Sequence, residues 1–190
     1  MTRLDPHTRD GDDDREVAER IRERRGGNLT PLDEMLLHSP PVADGWNTLL
    51  GAIRTRTLLD AGIRELAILR IAALNGAAYE WDAHQPVALR AGLSRRQTDA
   101  LRGVAADVAP LLTPAQRSAL AYTDAMTRSV DVPDAVFDGL RAHFDDRRIV
   151  ELTAVIGTYN LVSRFLVALH IGRAATGTGL GASDEHGTVA

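Results

Sequence analysis

The sequence predicts an all-α fold of about six to eight helices, and three observations support this expectation. Apolar residues recur at helical spacing from about Thr30 to about Arg173. Only 4% of the 190 residues are aromatic, so the core is expected to be built from Ala, Leu, Val and Ile. Such a core favours helices over a β-sandwich. No segment of the sequence requires a strand.

Residues that begin or end helices set the predicted boundaries. Side chains suited to capping a helix N-terminus are Thr30, Asp60, Ser94, Thr113 and Asp145 or Asp146. The run Ser39 to Pro41 is expected to stop one helix, and Asn75-Gly76 and Gly92 are expected to end two others. Pro133 suits the first turn of a helix. The predicted helices span residues 31–38, 42–59, 63–74, 79–91, 95–104, 114–128, 133–144 and 149–171.

Both ends of the chain differ in composition from this body. Residues 1–29 include a dense mixture of both charge signs with few apolar positions, which predicts a polar arm that is partly helical. Residues 176–190 are rich in Gly, Thr, Ser and Ala and are expected to form a flexible tail. The helical domain is therefore expected to cover residues 30–175.

The residue types that are missing exclude several kinds of chemistry. The chain has no cysteine, which rules out disulfides, thiolate nucleophiles and cysteine-ligated metal sites. All 22 basic residues are arginine, so the chain has neither a lysine Schiff base nor a P-loop. The histidines lack metal-site spacing, and the glycines do not form a dinucleotide-binding motif. We therefore expect no metal and no other cofactor.

Charge and hydropathy indicate the expected partners and location. The net charge of -4 argues against nucleic-acid binding. Residues 12–14 are aspartates, where an export signal needs a basic start and an apolar run. The apolar stretch 152–171 is interrupted by Asn160, Arg164 and His170, which argues against a membrane span. We expect a cytoplasmic protein that binds a small-molecule substrate.

The segment with the most chemical information surrounds His84. Glu80 and His84 are four residues apart, so they share one face of a helix that continues with apolar residues. An ionisable pair at the end of a buried stripe is a candidate acid/base unit, because burial and a neighbouring imidazole both change the proton affinity of a carboxylate. The same spacing fits an ordinary surface pair or a buried structural pair, and spacing alone leaves these alternatives open.

Two further residues bear on this unit. Glu65 adds a carboxylate on the preceding helix, with apolar Leu69 and Ala72 on the same side, although a first-turn glutamate also suits an exposed helix N-terminus. Pro86 falls inside the predicted helix 79–91 and predicts a kink just after His84. Such a kink either opens a pocket beside the histidine or only shapes the packing.

Short motifs around this pair resemble a known family. Arg64-Glu65-Leu66, Tyr79-Glu80-Trp81 with His84, and Ala91-Gly92-Leu93-Ser94 resemble the carboxymuconolactone decarboxylase family, which includes the AhpD-type alkylhydroperoxidases. Val150-Glu151-Leu152 with Tyr159-Asn160 and Arg164 is similar to the last long helix of that family. The resemblance covers about residues 31–173. It implies an AhpD-like helical fold that assembles as trimers or hexamers, with sites close to subunit contacts.

The resemblance also separates two branches of the family. The peroxidase branch carries Cys-x-x-Cys followed four residues later by a histidine, with a relay glutamate nineteen residues before that histidine. When its histidine is placed on His84, the cysteine positions fall on Ala77 and Glu80, and the relay glutamate falls on Glu65. Both thiols are missing, so thiol peroxidase chemistry is excluded. The resemblance therefore implies the non-redox branch, whose named member decarboxylates a carboxylated lactone without a metal or organic cofactor.

Together these observations predict a carboxymuconolactone decarboxylase-like lyase. His84, Glu80 and Glu65 are the expected catalytic residues, and which glutamate is the main partner of His84 is left open. The expected chemistry is cofactor-free decarboxylation, or a related isomerisation, dehydration or cyclisation, of a small carboxylated or lactone ring substrate. A specialised metabolic pathway is one expected setting for it. The alternative is a non-catalytic helical oligomer that binds a small molecule or a partner protein, in which the same residues form a closed network without a cavity.

Three residues are assigned to substrate binding, and two helices to assembly. The assigned residues are Trp81, Tyr159 and Arg164, although Tyr159 and Arg164 also fit a buried hydroxyl and an interface ion pair.

Residues 63–73 and 152–169 are both apolar nearly all round, and few helices remain to cover them. One of the two helices is therefore expected to face another subunit of a homo-oligomer, which would place Glu65 and Arg70 near the neighbouring chain.

Overall fold

The structure is a computed structural model that describes residues 2–5, 7 and 11–172. Over these residues it contains ten α-helices, one short 3-10 helix and no strand, so the all-α prediction is confirmed. The helices are α1 (Asp12–Arg25), α2 (Pro31–Leu36), α3 (Pro40–Thr55), α4 (Ala61–Leu74), α5 (Ala78–Arg90), α6 (Arg95–Ala100), α7 (Ala105–Val108), α8 (Pro114–Arg128), α9 (Asp134–Arg141) and α10 (Asp146–Leu169). The 3-10 helix, Ala109–Leu111, lies between α7 and α8.

The predicted capping residues begin the helices that they were expected to begin. The side chains of five of them accept a hydrogen bond from the backbone N–H three residues later: Thr30, Asp60, Ser94, Thr113 and Asp145. Each of the eight predicted helices has a counterpart in α2 to α6 or α8 to α10. The observed number is larger than six to eight because α1 and the four-residue α7 are additional helices.

Helix α4 is the centre of the fold, and it packs against α5, α8 and α10. Ten of its 14 residues are buried, and these include Glu65 and Arg70, which are 2% and 1% exposed. The apolar surface of α4 is therefore covered within one chain. Proximity of Glu65 and Arg70 to a neighbouring subunit stays a prediction, since both side chains are buried by elements of their own chain.

Helix α10 differs from α4 because only one side of it is covered. Leu152, Val155 and Ile156 lie in the main core, whereas Val150 and Leu161 are 67% and 49% exposed. By length and composition alone, α10 is the one helix in the described part of the chain that could cross a membrane. Half of its apolar window is buried against the rest of the chain, so the same pattern also fits a core helix.

Part of the predicted polar arm belongs to the folded body. Helix α1 packs against α3, and its few apolar residues, Val17, Ala18 and Ile21, are buried in the main hydrophobic core. Amphipathic packing thus brings the charged residues at the end of α1 next to α3. The predicted tail, residues 176–190, lies outside the described residues.

Candidate active site

The site is built where the second turn of α4 meets the middle of α5. Glu65 Oε2 lies 2.7 Å from His84 Nδ1, and both side chains are buried. With this geometry the Nδ1–H group donates to the carboxylate, which fixes the orientation of the imidazole ring and leaves Nε2 as the atom that exchanges protons. Glu65 is therefore the glutamate that makes an aligned hydrogen bond with His84.

Glu80 approaches the other ring nitrogen from one turn earlier on α5. Its Oε1 atom lies 3.0 Å from His84 Nε2, and the side chain is 4% exposed. This is a close charge contact rather than a well-aligned hydrogen bond, and Oε1 has no other hydrogen-bond partner among the described residues. The imidazole is thus held between two buried carboxylates, with a free acceptor position on Glu80.

Arg54 joins the site from the last turn of α3. Its Nε–H donates to the hydroxyl of Tyr159 at 2.8 Å, and its Nη2 lies 3.3 Å from His84 Nε2. The predictions from sequence missed Arg54. A signal was present, because Trp46 and Leu50 are buried and Arg54 continues the same helix face at a spacing of four residues.

Tyr159 lies behind Arg54 and His84 rather than on the surface of the cleft. Its side chain is fully buried, and its ring meets the imidazole edge-on with ring centres 5.2 Å apart. Burial raises the pKa of Tyr159 to about 12, despite the nearby positive charge of Arg54. The hydroxyl therefore stays protonated at neutral pH and accepts the hydrogen bond from Arg54.

The charges around His84 favour its protonated form. Burial lowers the pKa of His84, but the hydrogen bond to Glu65 and the close negative charge of Glu80 outweigh that effect, so the pKa lies above its ordinary value. The pKa of Arg54 is also raised, because the attraction of Tyr159, Glu80 and Glu65 exceeds the effect of burial. The site can therefore hold an imidazolium whose proton is available at Nε2.

A cleft of about 380 Å³ reaches these groups. Its ionisable lining residues are Arg25, Arg54, Arg64, Glu65, Tyr79, Glu80 and His84. Ala83 and Val87 also line it, on either side of His84 and Pro86, and α5 continues as one helix through that proline. A ligand in the cleft would thus meet the acid/base residues and several guanidinium groups.

A larger cavity of about 570 Å³ shares Tyr79 with this cleft. Its ionisable lining residues are Tyr79 and Asp82, so it contains neither an imidazole nor a pair of carboxylates. The described residues contain no group of three or more His, Asp or Glu side chains that could hold a metal ion. An imidazole between two carboxylates thus lines the cleft at His84 and does not line the larger cavity.

The structure brings none of the three predicted substrate-binding residues to the surface of this cleft, and Tyr159 lies behind Arg54 and His84. Trp81 follows Glu80 by one residue, so it points about a quarter turn away and packs in a second core cluster, under the guanidinium of Arg102. Arg164 lies on the exposed side of α10, where it donates to the backbone and side-chain oxygens of Asn160. Assigning Trp81, Tyr159 and Arg164 to the substrate site is therefore corrected, because none of them lines the cleft.

Comparison with known proteins finds similarity to one family. The model of the carboxymuconolactone decarboxylase family matches residues 40–125. The uncharacterised protein YnjA of Escherichia coli is 38% identical over 121 residues, which span 62% of this chain and 64% of YnjA. This match covers slightly less than two thirds of YnjA.

Solved structures show the same fold. A protein of unknown function from Agrobacterium tumefaciens that carries the AhpD name is 29% identical, with a TM-score of 0.65 over 72% of this chain and 93% of the other. A peroxidase-related protein from Silicibacter is 22% identical, with a TM-score of 0.75 over 92% of each chain, and shows the fold alone. The family model over residues 40–125, the curated relative and the fold therefore agree in making this chain similar to the carboxymuconolactone decarboxylase and AhpD-like family.

Proposed function

We propose that this protein is a cofactor-free acid/base enzyme that decarboxylates, or otherwise rearranges by proton transfer, a small carboxylated or lactone ring compound. The observation that carries the proposal is the His84 imidazole, held between Glu65 and Glu80 at 2.7 and 3.0 Å in the wall of a 380 Å³ cleft. The family contains decarboxylase-like and peroxidase-related members, and the absence of cysteine from this chain excludes the thiol route.

In this proposal His84 delivers a proton from Nε2. When the substrate loses CO₂, the electron pair of the broken C–C bond moves into the adjacent carbonyl group and forms an enolate. The imidazolium then donates its Nε2 proton to the carbon that lost CO₂, and neutral His84 regains a proton from water. Glu65 keeps the Nδ1 side of the ring fixed throughout, since its carboxylate accepts the Nδ1–H bond.

Glu80 and Arg54 both lie close to Nε2 of His84 and have different roles in this proposal. The carboxylate of Glu80 stabilises the imidazolium and can accept a proton from the substrate in an isomerisation or dehydration. The guanidinium of Arg54, beside Nε2, is placed to stabilise negative charge that develops on the substrate. Tyr159 positions Arg54 rather than the substrate, because its hydroxyl contacts Arg54 and its side chain is fully buried.

A panel of carboxylated lactones, assayed by CO₂ release and by the change in ultraviolet absorbance, tests the proposal. We expect His84→Gln and Glu80→Gln to lower kcat by about 10²-fold or more, as for other general acids and bases. The matched control is Arg22→Gln, because Arg22 is on the surface of α1 and bonds to Glu19. Activity of both site variants within about threefold of wild type would exclude an acid/base role, given that expected effect.

The non-catalytic alternative predicts a different result. A binder would show saturable heat of binding for a ring compound with no product under the same conditions. The closed network without a cavity that this alternative requires differs from the open cleft beside His84. Saturable binding without turnover across the panel would therefore favour the binder over the enzyme.

A further inference from the structure

The cleft at His84 continues into a second cavity toward the surface. This cavity measures about 490 Å³ and shares Arg25, Thr30 and Arg54 with the cleft. Arg24 and Asn28, from the end of α1 and the loop after it, line only the outer cavity. Because three residues border both spaces, the two form adjacent parts of one opening, with Arg54 between the outer part and the acid/base residues.

The guanidinium groups of this outer part are unequally neutralised. Arg25 forms a salt bridge with buried Asp33, with its Nε 2.6 Å from Oδ2. Arg24 forms no salt bridge with any described residue, and its Nε–H donates to the neutral amide of Asn47. Arg54 likewise forms no salt bridge with any described residue: its Nε–H donates to the hydroxyl of Tyr159, while the carboxylates of Glu65 and Glu80 attract it from beyond salt-bridge distance.

The positive charges of Arg24, Arg25 and Arg54 repel one another. Burial, followed by the like charges of Arg25 and Arg54, lowers the pKa of Arg24. An arginine side chain keeps its charge at neutral pH, so the repulsion cannot be relieved by loss of a proton. An oxyanion between Arg24 and Arg54 would relieve it, because guanidinium groups bind carboxylate and phosphate oxygens with charge-assisted hydrogen bonds.

The local backbone holds Arg24 against this opening. Gly51 of α3 lies under its side chain, since a Cβ atom at position 51 would be 3.4 Å from Arg24 Cδ. Helix α1 ends immediately afterwards at Arg25 and is capped by Gly26, whose φ of 83° suits glycine. The loop that follows places Asn28 at the rim. Arg24 and Arg25 both precede residues 40–125, so the family model does not include them.

We propose that Arg24 and Arg54, with Asn28 and Thr30 at the rim, form an oxyanion-binding subsite in the outer part of the cleft. The subsite would bind a carboxylate or phosphate group of a ligand at a distance from the bond that reacts at His84. Its assignment to the substrate rests on the proposed function, whereas binding of an anion there does not. The substrate class is therefore a ring compound with an anionic substituent that is separate from the reacting group.

Isothermal titration calorimetry at low ionic strength tests the subsite with two probes, inorganic phosphate and succinate, which distinguish phosphate from carboxylate recognition. We expect at least one probe to bind with a Kd of about 1 mM or tighter, a range typical of a small ligand held by few contacts. Arg24→Gln and Arg54→Gln should each weaken that binding by about tenfold or more, because each removes a charged donor. Arg22→Gln, on the same helix but bonded to Glu19, should leave it unchanged.

Two outcomes would overturn the subsite. One is that neither probe binds at concentrations of about 10 mM, far above the expected Kd. The other is that Arg24→Gln and Arg22→Gln bind the probes equally well. Arg24 is only partly buried, so Arg24→Gln keeps the test valid even if Arg54→Gln disturbs the fold.

The His84→Gln variant separates this inference from the proposed function. It should bind the probe like wild type, because His84 lies outside the outer cavity, and it should lose turnover. If it retains turnover while Arg24→Gln still loses anion binding, the acid/base proposal fails and the subsite stands. If it loses turnover and Arg24→Gln binds the probe normally, the subsite fails and the acid/base proposal stands.

Discussion

Glu65 and His84 are separated by nineteen residues, yet Oε2 of the first lies 2.7 Å from Nδ1 of the second. The contact joins α4 to α5 at a point where both side chains are almost fully buried. One carboxylate therefore fixes the ring while the other, Glu80, faces its opposite nitrogen. This division of roles determines what should happen when either charge is removed.

The pKa of His84 should lie above 6.5 in the folded protein and fall when Glu65 is replaced by Gln. Burial lowers the pKa of His84, and the two carboxylates raise it by more. Removing one carboxylate should therefore lower the pKa. Nuclear magnetic resonance titration of the imidazole Cε1–H signal measures the midpoint directly. Glu19→Gln, an exposed change on α1, should leave the midpoint unchanged, and an equal midpoint in Glu65→Gln would contradict the prediction.

The raised pKa of His84 also predicts how stability and activity change with pH. Because the folded-state pKa of His84 is raised, its stabilisation is complete below pH 6.5 and is lost as the pH rises through the folded-state pKa. If His84 acts as the general acid, kcat should fall over that same upper range. Glu65→Gln should move this decline to lower pH, and a decline that does not move would separate activity from the His84 titration.

The ion pair between Arg70 and Asp124 should be important for stability and not for chemistry. Arg70 binds both carboxylate oxygens of Asp124, at 2.6 and 2.7 Å, and its Nη1 also donates to two backbone carbonyls. Arg70→Ala would leave Asp124 and those carbonyls without partners, so we expect a loss of about 3–5 kcal/mol in the free energy of unfolding. Urea denaturation measures this loss.

A matched surface pair provides the control for that measurement. Arg147 and Glu151 form an ion pair one turn apart on α10, and the Arg147 side chain is 61% exposed. Arg147→Gln should therefore change the free energy of unfolding by about 1 kcal/mol or less. Equal effects of Arg70→Ala and Arg147→Gln would show that the buried pair has no special role.

The exposed side of α10 supports our proposal of a homo-oligomer, with a trimer or hexamer as the expected assembly. Val150, Ala154, Gly157, Leu161 and Ala168 are exposed at spacings of three, four or seven residues. Such a face suits close packing against a copy of the chain. Light scattering at micromolar concentration should give a mass well above 20.5 kDa for wild type, and a 20.5 kDa monomer would reject the proposal.

A charge on that face should disrupt the assembly. We expect Leu161→Glu to lower the measured mass, because it places a carboxylate in the centre of the apolar face. Val130→Glu is the control, since Val130 is 84% exposed in the turn after α8 and is not part of α10. If both variants keep the wild-type mass, the exposed side of α10 is not the contact between subunits.

Local rules of the sequence determined the helices and one half of the candidate site. Capping by Thr30, Asp60 and Ser94 depends on bonds across three residues, so these helix starts can be read directly from the chain. The same is true of Glu80 and His84, because a spacing of four residues brings them to one helix face. The family motif added Glu65, which spacing alone left undecided.

Only the tertiary structure decided which side chains from different helices meet. Arg54 reaches His84 because α3 packs against α10 through Tyr159, and Trp81 faces the second core cluster rather than the cleft. The packing also buried α4 within one chain and placed Arg24 at the mouth of the cleft. Helical periodicity specifies which residues share a face, whereas the partner of each face depends on how all the apolar surfaces pack together.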